Sequence, residues 1–188
     1  MRLKKRVQAL FLGLCFSGVV SAAPDIAVGK EKAGMCFSCH GVDGNSKNSN
    51  FPILAGQKPA YLVNQLRAFR DGTRENAMMQ NMAANLTDQE INNLAAFFAS
   101  VKSKSAGGDS ELAEKGKSKA PMCFGCHGDK AIGMGLTPKL AGQYPAYLQR
   151  QLQAFKEGTR KNGPMSGIAK MLSDEDMKAV AEYMGSLK

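Results

Sequence analysis

The only two histidines of this chain occupy the same pentapeptide setting, Cys36-Phe37-Ser38-Cys39-His40 and Cys123-Phe124-Gly125-Cys126-His127. Cys-x-x-Cys-His is the spacing of covalent c-type haem attachment. The two thiols add across the vinyl groups to form thioethers, and the adjacent imidazole ligates the iron from the proximal side. Each motif therefore demands a porphyrin-sized cavity, and the rest of the chain must fold to enclose two of them. A redox disulfide, a zinc site or paired structural disulfides could use the cysteines, but none of these needs a histidine at the same place twice. With no third histidine, neither iron can take a second imidazole from this chain.

The motifs belong to a tandem duplication. Residues 54–79 and 140–165 align without a gap, and 17 of the 26 positions are identical. The shared skeleton is Leu-Ala-Gly-Gln-x-Pro-Ala-Tyr-Leu, then Gln-Leu-x-Ala-Phe, then Gly-Thr-Arg-x-Asn. The offset is 86 here and 87 at the cysteine motifs, so one residue is lost in between. A period this long marks a duplicated domain rather than a solenoid repeat. The polar, glycine-rich stretch 103–110 reads as a flexible linker. The expected division is residues 23–103 for the first domain, 104–110 for the linker and 111–188 for the second domain. Each half is of a size at which a protein-only core is marginal, and a buried porphyrin would supply the missing apolar surface.

Residues 1–22 read as a secretory signal peptide. Arg2, Lys4, Lys5 and Arg6 precede an apolar run over 7–20, followed by Ser21-Ala22-Ala23. The run is shorter than the roughly 20 residues a membrane span needs. Cleavage would remove Cys15 and leave only the four motif cysteines. Export fits haem attachment, which takes place outside the bacterial cytoplasmic membrane, and the periplasm is the expected compartment. The formal net charge of +9 shrinks to +5 once the four basic residues of this segment are removed. A basic balance of that size, further offset by haem propionates, gives no case for a nucleic-acid partner.

The pattern is all-α. Pro59 and Pro145 suit the first turn of a helix, and Tyr61, Leu62, Gln65, Leu66 and Phe69 form a helical stripe ending near Gly72. Residues 145–155 repeat it, with Gly158 in the matching place. Thr87-Asp88-Gln89-Glu90 is a full capping box, and Ser173 caps a second helix. Behind them, Ile91, Leu94, Ala95 and Phe98, and Met177, Val180, Tyr183, Met184 and Leu187, keep amphipathic spacing. Short helices are expected near 28–33 and 111–118, before each motif. The order in each half is then helix, haem motif, loop, helix, ligand loop and C-terminal helix.

With histidine exhausted, the expected sixth ligand is a methionine thioether, a soft donor that raises the reduction potential. Met165 stands in the second ligand loop, and subtracting the offset of 86 gives Met79. Met78 maps onto Pro164, which cannot ligate, and Met82 onto Ile168, an apolar packing position. The repeat thus selects Met79 and Met165 ahead of Met78 and Met82. Pro52 and Pro138 lie at equivalent places and offer backbone carbonyls to the second ring nitrogens of His40 and His127. Arg74 and Arg160 are either propionate partners or solvated side chains after a turn, and Tyr61 and Tyr147 read as helix packing. Lys115, Lys117 and Lys119 form either part of a docking surface or a solvated helix face.

Together with the two Cys-x-x-Cys-His motifs, the runs Gly41-Val42-Asp43-Gly44-Asn45-Ser46, Phe51-Pro52-x-Leu54-Ala55-Gly56-Gln57 and Met79-x-x-Met82-Ala83-Ala84-x-Leu86-Thr87-Asp88-Gln89 resemble the dihaem cytochrome c4 family. The resemblance covers essentially the whole chain after the signal segment. It implies two class I cytochrome c folds facing one another across an approximate two-fold axis, with haem propionates near their interface. It also implies two covalently bound haem c groups, linked through Cys36, Cys39, Cys123 and Cys126. His40 and Met79 would ligate one iron, and His127 and Met165 the other. The second half departs at Gly128-Asp129-Lys130-Ala131-Ile132-Gly133, which leaves the two haem environments unequal.

The function implied is that of a periplasmic electron carrier with no substrate chemistry of its own. Its donor would be a quinol–cytochrome c reductase or a similar protein, and its acceptor a haem–copper terminal oxidase. Peripheral membrane association stays open. The alternative is a dihaem electron-transfer subunit of a dehydrogenase, such as a flavocytochrome. A true enzyme of the dihaem peroxidase or thiosulfate dehydrogenase kind needs an open, bis-histidine or cysteine-ligated haem, for which the chain has no spare histidine or mature cysteine.

Overall fold

In each half of the computed structural model, which describes residues 22–188, the first and last helices cross at a glycine. The first half runs α1 (Ile26–Lys32), α2 (Phe37–His40), α3 (Pro59–Arg70), α4 (Ala77–Ala83) and α5 (Asp88–Ser100). The second runs α6 (Ser110–Lys117), α7 (Pro121–His127), α8 (Pro145–Glu157), α9 (Gly163–Lys170) and α10 (Asp174–Ser186). Helix α1 packs on α5, and α6 on α10. A Cβ built on Gly29 would come within 2.0 Å of the Asn93 carbonyl oxygen, and one on Gly116 within 2.1 Å of that of Ala179. Only a residue without a side chain lets the backbones approach this closely. All but the last residue of the expected signal peptide lies outside the described residues.

The anticipated helices form, with informative differences at their ends. Helix α3 begins at Pro59 and α8 at Pro145. Gly158 closes α8 in the left-handed conformation at φ 80°. Thr87 and Ser173 both complete capping boxes, the second with Asp176 in place of a glutamate. A shorter carboxylate at the third helical position therefore suffices. The segments expected as ligand loops are helical, α4 and α9, each started by an asparagine whose side chain accepts from the backbone N–H three residues on. Among the described residues the β structure is one isolated bridge, between Met134 and Thr137.

Burial follows the predicted stripes. Ile91, Leu94, Ala95 and Phe98 close the first core around Leu62, Phe69 and Leu86. Val180, Ala181 and Met184 close a smaller second one with Leu148 and Ala120. The stretch 103–110, expected to be flexible, is tied down along its length. The Lys104 N–H donates to Asn45 Oδ1 at 2.6 Å, the Ala106 N–H to the Gly142 carbonyl at 2.9 Å and the Asp109 N–H to Glu182 Oε2 at 2.8 Å. Ser105 Oγ donates to the Gly185 carbonyl at 2.8 Å. A polar composition here supplies partners for fixed backbone groups rather than solvent for a loose chain.

The glycine crossing makes a direct prediction. Gly116→Ala should destabilise the holoprotein by about 3 kcal/mol through overpacking. Gly34→Ala, where an added Cβ meets nothing within 4 Å, should leave the midpoint of a denaturant titration nearly unchanged.

Candidate haem sites and the interface between them

Helix geometry places each motif histidine at the end of a short helix, α2 or α7, with the first cysteine of its pair facing the core. Both imidazoles are buried. His40 Nδ1 lies 2.9 Å from the Pro52 carbonyl, and His127 Nδ1 lies 2.9 Å from that of Pro138. A carbonyl can only accept, so Nδ1 carries the proton and Nε2 keeps its lone pair for a metal. Burial pulls both imidazole pKa values down, and the proline carbonyls offset part of that fall. The neutral ring, which is the ligating form, is thereby favoured.

The cysteines behave unlike a dithiol redox pair. Burial, reinforced by Cys39, pushes the Cys36 thiol up to about 11, and burial raises Cys123 as well. Reactive Cys-x-x-Cys pairs have lowered thiol pKa values instead.

Met79 and Met165 occupy matching places on the cavity wall in the two halves. Each sits at the third position of its helix, with its own N–H held by the capping Asn76 or Asn162 at 2.9 and 3.1 Å. Met78, one residue earlier, is 55% exposed. Both histidines, all four motif cysteines, Met79 and Met165 line one continuous cavity of about 1370 Å3. A single small-molecule pocket holds about 300–1,000 Å3, so this space suits two large apolar groups. Thiols, an imidazole with a free Nε2 and a thioether on one apolar cavity make, in each half, the donor set of a haem c.

The two halves clasp one another through side chains of the repeat skeleton itself. Gln57 donates from Nε2 to the Lys139 carbonyl at 2.9 Å and accepts the Lys139 N–H at 2.7 Å. Gln143 makes the same exchange with Ile53, at 2.9 Å in each direction. These glutamines end the two Leu-Ala-Gly-Gln runs, and both are buried. Arg74 and Arg160 also cross the interface. Arg74 donates to Tyr147 Oη at 3.1 Å and Gln151 Oε1 at 2.8 Å, and Arg160 to Tyr61 Oη at 3.0 Å and Gln65 Oε1 at 2.9 Å. Each guanidinium also stacks on its own domain's Phe69 or Phe155, 4.5 Å from the ring centroid.

Neither arginine is therefore a solvated side chain, and the two tyrosines pair rather than merely pack. Among the described residues neither guanidinium has a carboxylate partner. Burial works to raise the Tyr147 phenol, but Arg74 and Arg160 outweigh it and hold the pKa below its ordinary value. Positive charge thus gathers, unneutralised, on the cavity that both haem sites share.

Lys115, Lys117 and Lys119 turn out to be paired surface residues. Their ammoniums lie 2.7 Å from Glu111, 3.3 Å from Glu114 and 3.1 Å from Asp176. Local acids neutralise them, so of the two readings the solvated helix face holds.

The caps of α4 and α9 can be tested by hydrogen exchange. Asn162→Ala should cost about 1 kcal/mol of local helix stability. The Met165 amide would then exchange roughly fivefold faster, while amides of α10 keep their rates.

The same architecture recurs in known proteins. The Cytochrome c family model matches residues 26–102 and 113–188. Cytochrome c4 of Pseudomonas aeruginosa is 38% identical over 200 residues, covering 98% of this chain and 100% of that protein. A thiosulfate dehydrogenase electron acceptor of Stutzerimonas stutzeri is 40% identical over 169 residues, covering 81% of this chain and 78% of that one. The crystal structure of reduced recombinant cytochrome c4 from Pseudomonas stutzeri superposes with a TM-score of 0.83 at 37% identity, covering 88% of this chain and 100% of that one. With two cytochrome c domains, a haem c donor set in each and near full-length identity, the chain belongs to the cytochrome c4 family: it is a dihaem electron carrier and not an enzyme.

Proposed function

We propose that this chain works in the periplasm, taking electrons from a quinol–cytochrome c reductase or another donor and passing them to a haem–copper terminal oxidase. The observation that most supports it is the pairing, in each half, of a buried imidazole and an asparagine-capped methionine on one cavity. With two protein donors offered to each iron, no position would remain for a substrate. When bound, each haem supplies a one-electron iron couple, whose potential a His/Met pair raises.

In this reading Cys36 and Cys39 would carry the first haem, with His40 and Met79 holding its iron. Cys123 and Cys126 would carry the second, with His127 and Met165 holding its iron. Pro52 and Pro138 fix the ring orientations. Arg74 and Arg160 bring the counter-charge that buried propionates call for. The domains are 23–103 and 111–188, joined by 104–110 and preceded by a signal peptide at 1–22. Among the described residues no helix is long and apolar enough to cross a membrane. The periplasmic placement rests on the signal-peptide pattern.

A second reading has one specific support. The relative named thiosulfate dehydrogenase electron acceptor matches this chain at comparable identity over a shorter span, which supports a dehydrogenase of that class as the donor instead of a quinol oxidoreductase.

Two measurements check these assignments. Met79→Ala and Met165→Ala should each remove half of the weak ferric sulfur-to-iron band at the red end of the visible spectrum, while Met78→Ala and Met82→Ala leave it. Loss of the band in Met78→Ala with retention in Met79→Ala would reverse the assignment. The reduced holoprotein should be oxidised rapidly by a purified haem–copper oxidase and show negligible peroxidase turnover. Slow oxidation there, with fast reduction by a purified thiosulfate dehydrogenase, would favour the second reading.

A further inference from the structure

The second half carries a rigid apolar tip that has no counterpart in the first. Ile132 and Met134 stand on it 49% and 73% exposed, with Leu136 beside them at the mouth of the haem cavity. Single exposed apolar residues are ordinary, but a contiguous group marks an interaction site. The tip is a tight turn: the Met134 N–H donates to the Thr137 carbonyl at 3.0 Å, and the Thr137 N–H returns to Met134 at 2.9 Å. Its base is anchored by the Gly133 N–H on the His127 carbonyl at 2.7 Å. Gly133, at φ 74°, leaves no room for a side chain, since a Cβ would meet the Lys139 nitrogen at 2.4 Å. Apolar groups on so fixed a turn lose little freedom on docking.

Broken symmetry leaves the tip uncovered. In the first half the equivalent loop is capped by the other domain: Tyr144 Oη donates to the Ser46 carbonyl at 2.7 Å and Arg150 to that of Ser49 at 2.8 Å. The repeat places Lys58 and Asn64 where Tyr144 and Arg150 stand. Neither makes a hydrogen bond to residues 132–137 among the described residues. The loop that is sealed in one half is therefore open in the other.

Charge points to the occupant. Lys130 and Lys139 flank the tip in sequence and Lys58 lies beside Lys139; none of the three forms an ion pair among the described residues, in contrast to Lys115, Lys117 and Lys119. Burial and the neighbouring Lys58 ammonium both pull the Lys139 pKa down, which places the two cations close together. Asp129 is the single carboxylate within residues 128–139. Behind the tip, Leu136, Thr137 and Pro138 line the haem cavity, and Pro138 holds His127. The tip is thus a short path between the surface and the second haem site.

We infer that residues 132–136, with Lys58 and Lys139 beside them, dock a redox protein whose apolar contact patch is rimmed by carboxylates, and that electrons cross there at the second haem. The inference rests on the electron-carrier reading and names the face that reading uses. A contact of under roughly 1,200 Å2 is the size expected of a transient electron-transfer complex.

Stopped-flow oxidation of the ferrous holoprotein tests it. The probes are a purified haem–copper oxidase, and ferricyanide as a small oxidant that needs no docking surface. Met134→Glu and Ile132→Glu should slow the oxidase reaction roughly tenfold or more by placing like charge against the partner, with the ferricyanide rate held within about threefold. Lys58→Gln should flatten the salt dependence of the oxidase reaction. Val42→Glu, at an equally exposed site on the first half, should match wild type.

Oxidase rates unchanged in Met134→Glu and Ile132→Glu would overturn the surface and leave the carrier reading standing. Equal slowing in Val42→Glu would overturn it as well. If wild type fails with the oxidase, reduction by purified thiosulfate dehydrogenase is measured with the same variants. Failure with both proteins would sink the carrier reading, and the surface with it. Loss of binding to phosphatidylglycerol vesicles in Met134→Glu, with protein reactions intact, would assign the tip to a membrane instead.

Discussion

One imidazole held by one proline carbonyl organises each half of this protein. His40 and His127 end short helices, and their Nδ1 atoms reach Pro52 and Pro138 across loops of different length at the same 2.9 Å. That bond fixes the tautomer, aims Nε2 into the cavity and decides where the intervening chain must run. The close glycine crossings of α1 with α5 and α6 with α10 then bring the motif helix and the last helix to the walls of the cavity. Neither half closes a large core of its own: buried side chains form two modest clusters around an apolar space that spans both. A domain of this size leans on its cofactor for the remaining apolar contact.

Duplication converted that constraint into an interface. The glutamine ending each Leu-Ala-Gly-Gln run acts as a strand partner for the other domain, exchanging two hydrogen bonds with one backbone residue. The arginine of each Gly-Thr-Arg run reaches a tyrosine and a glutamine of the opposite α3 or α8. Because the same residues recur at the same offset, one set of substitutions made both sides of an approximate two-fold contact. A pair of guanidiniums without carboxylates is costly beside a buried surface unless anions join them. Two dianionic porphyrin edges at the interface would meet that need, and the arrangement leaves the haem sites in one shared cavity instead of two separate ones.

The duplication is imperfect, and the differences carry functional weight. The residue lost after the second motif shortens its loop into the Met134 turn, with Lys130 and Ala131 forced to positive φ of 49° and 55°. Tyr144 and Arg150 seal the first loop, while Lys58 and Asn64 leave the second open. Two copies of one fold thus present different faces: one buried against its neighbour, the other free for a partner.

Local chemistry made much of this legible in the residues alone. The motif cysteines and histidines, the proline carbonyls, the capping box at Thr87 and the apolar stripes of α5 and α10 each depend on neighbours within about a dozen positions, so spacing was enough. The asparagines three residues before Met79 and Met165 were also there to be read, and would have turned the expected ligand loops into helices. What spacing could not give was the identity of groups meeting across the two-fold axis. Gln57, Gln143, Arg74 and Arg160 looked like repeat skeleton or surface because their partners lie some 73 to 99 residues away. The linker looked loose because its acceptors belong to other segments, and Lys119, just past α6, looked available because its acid, Asp176, arrives only with α10. The sequence alone determined which atoms could hold two irons. Only the tertiary structure decided how the two halves share a cavity and which surface stays open, because long-range hydrogen bonds and charge pairing exist only once distant segments are packed together.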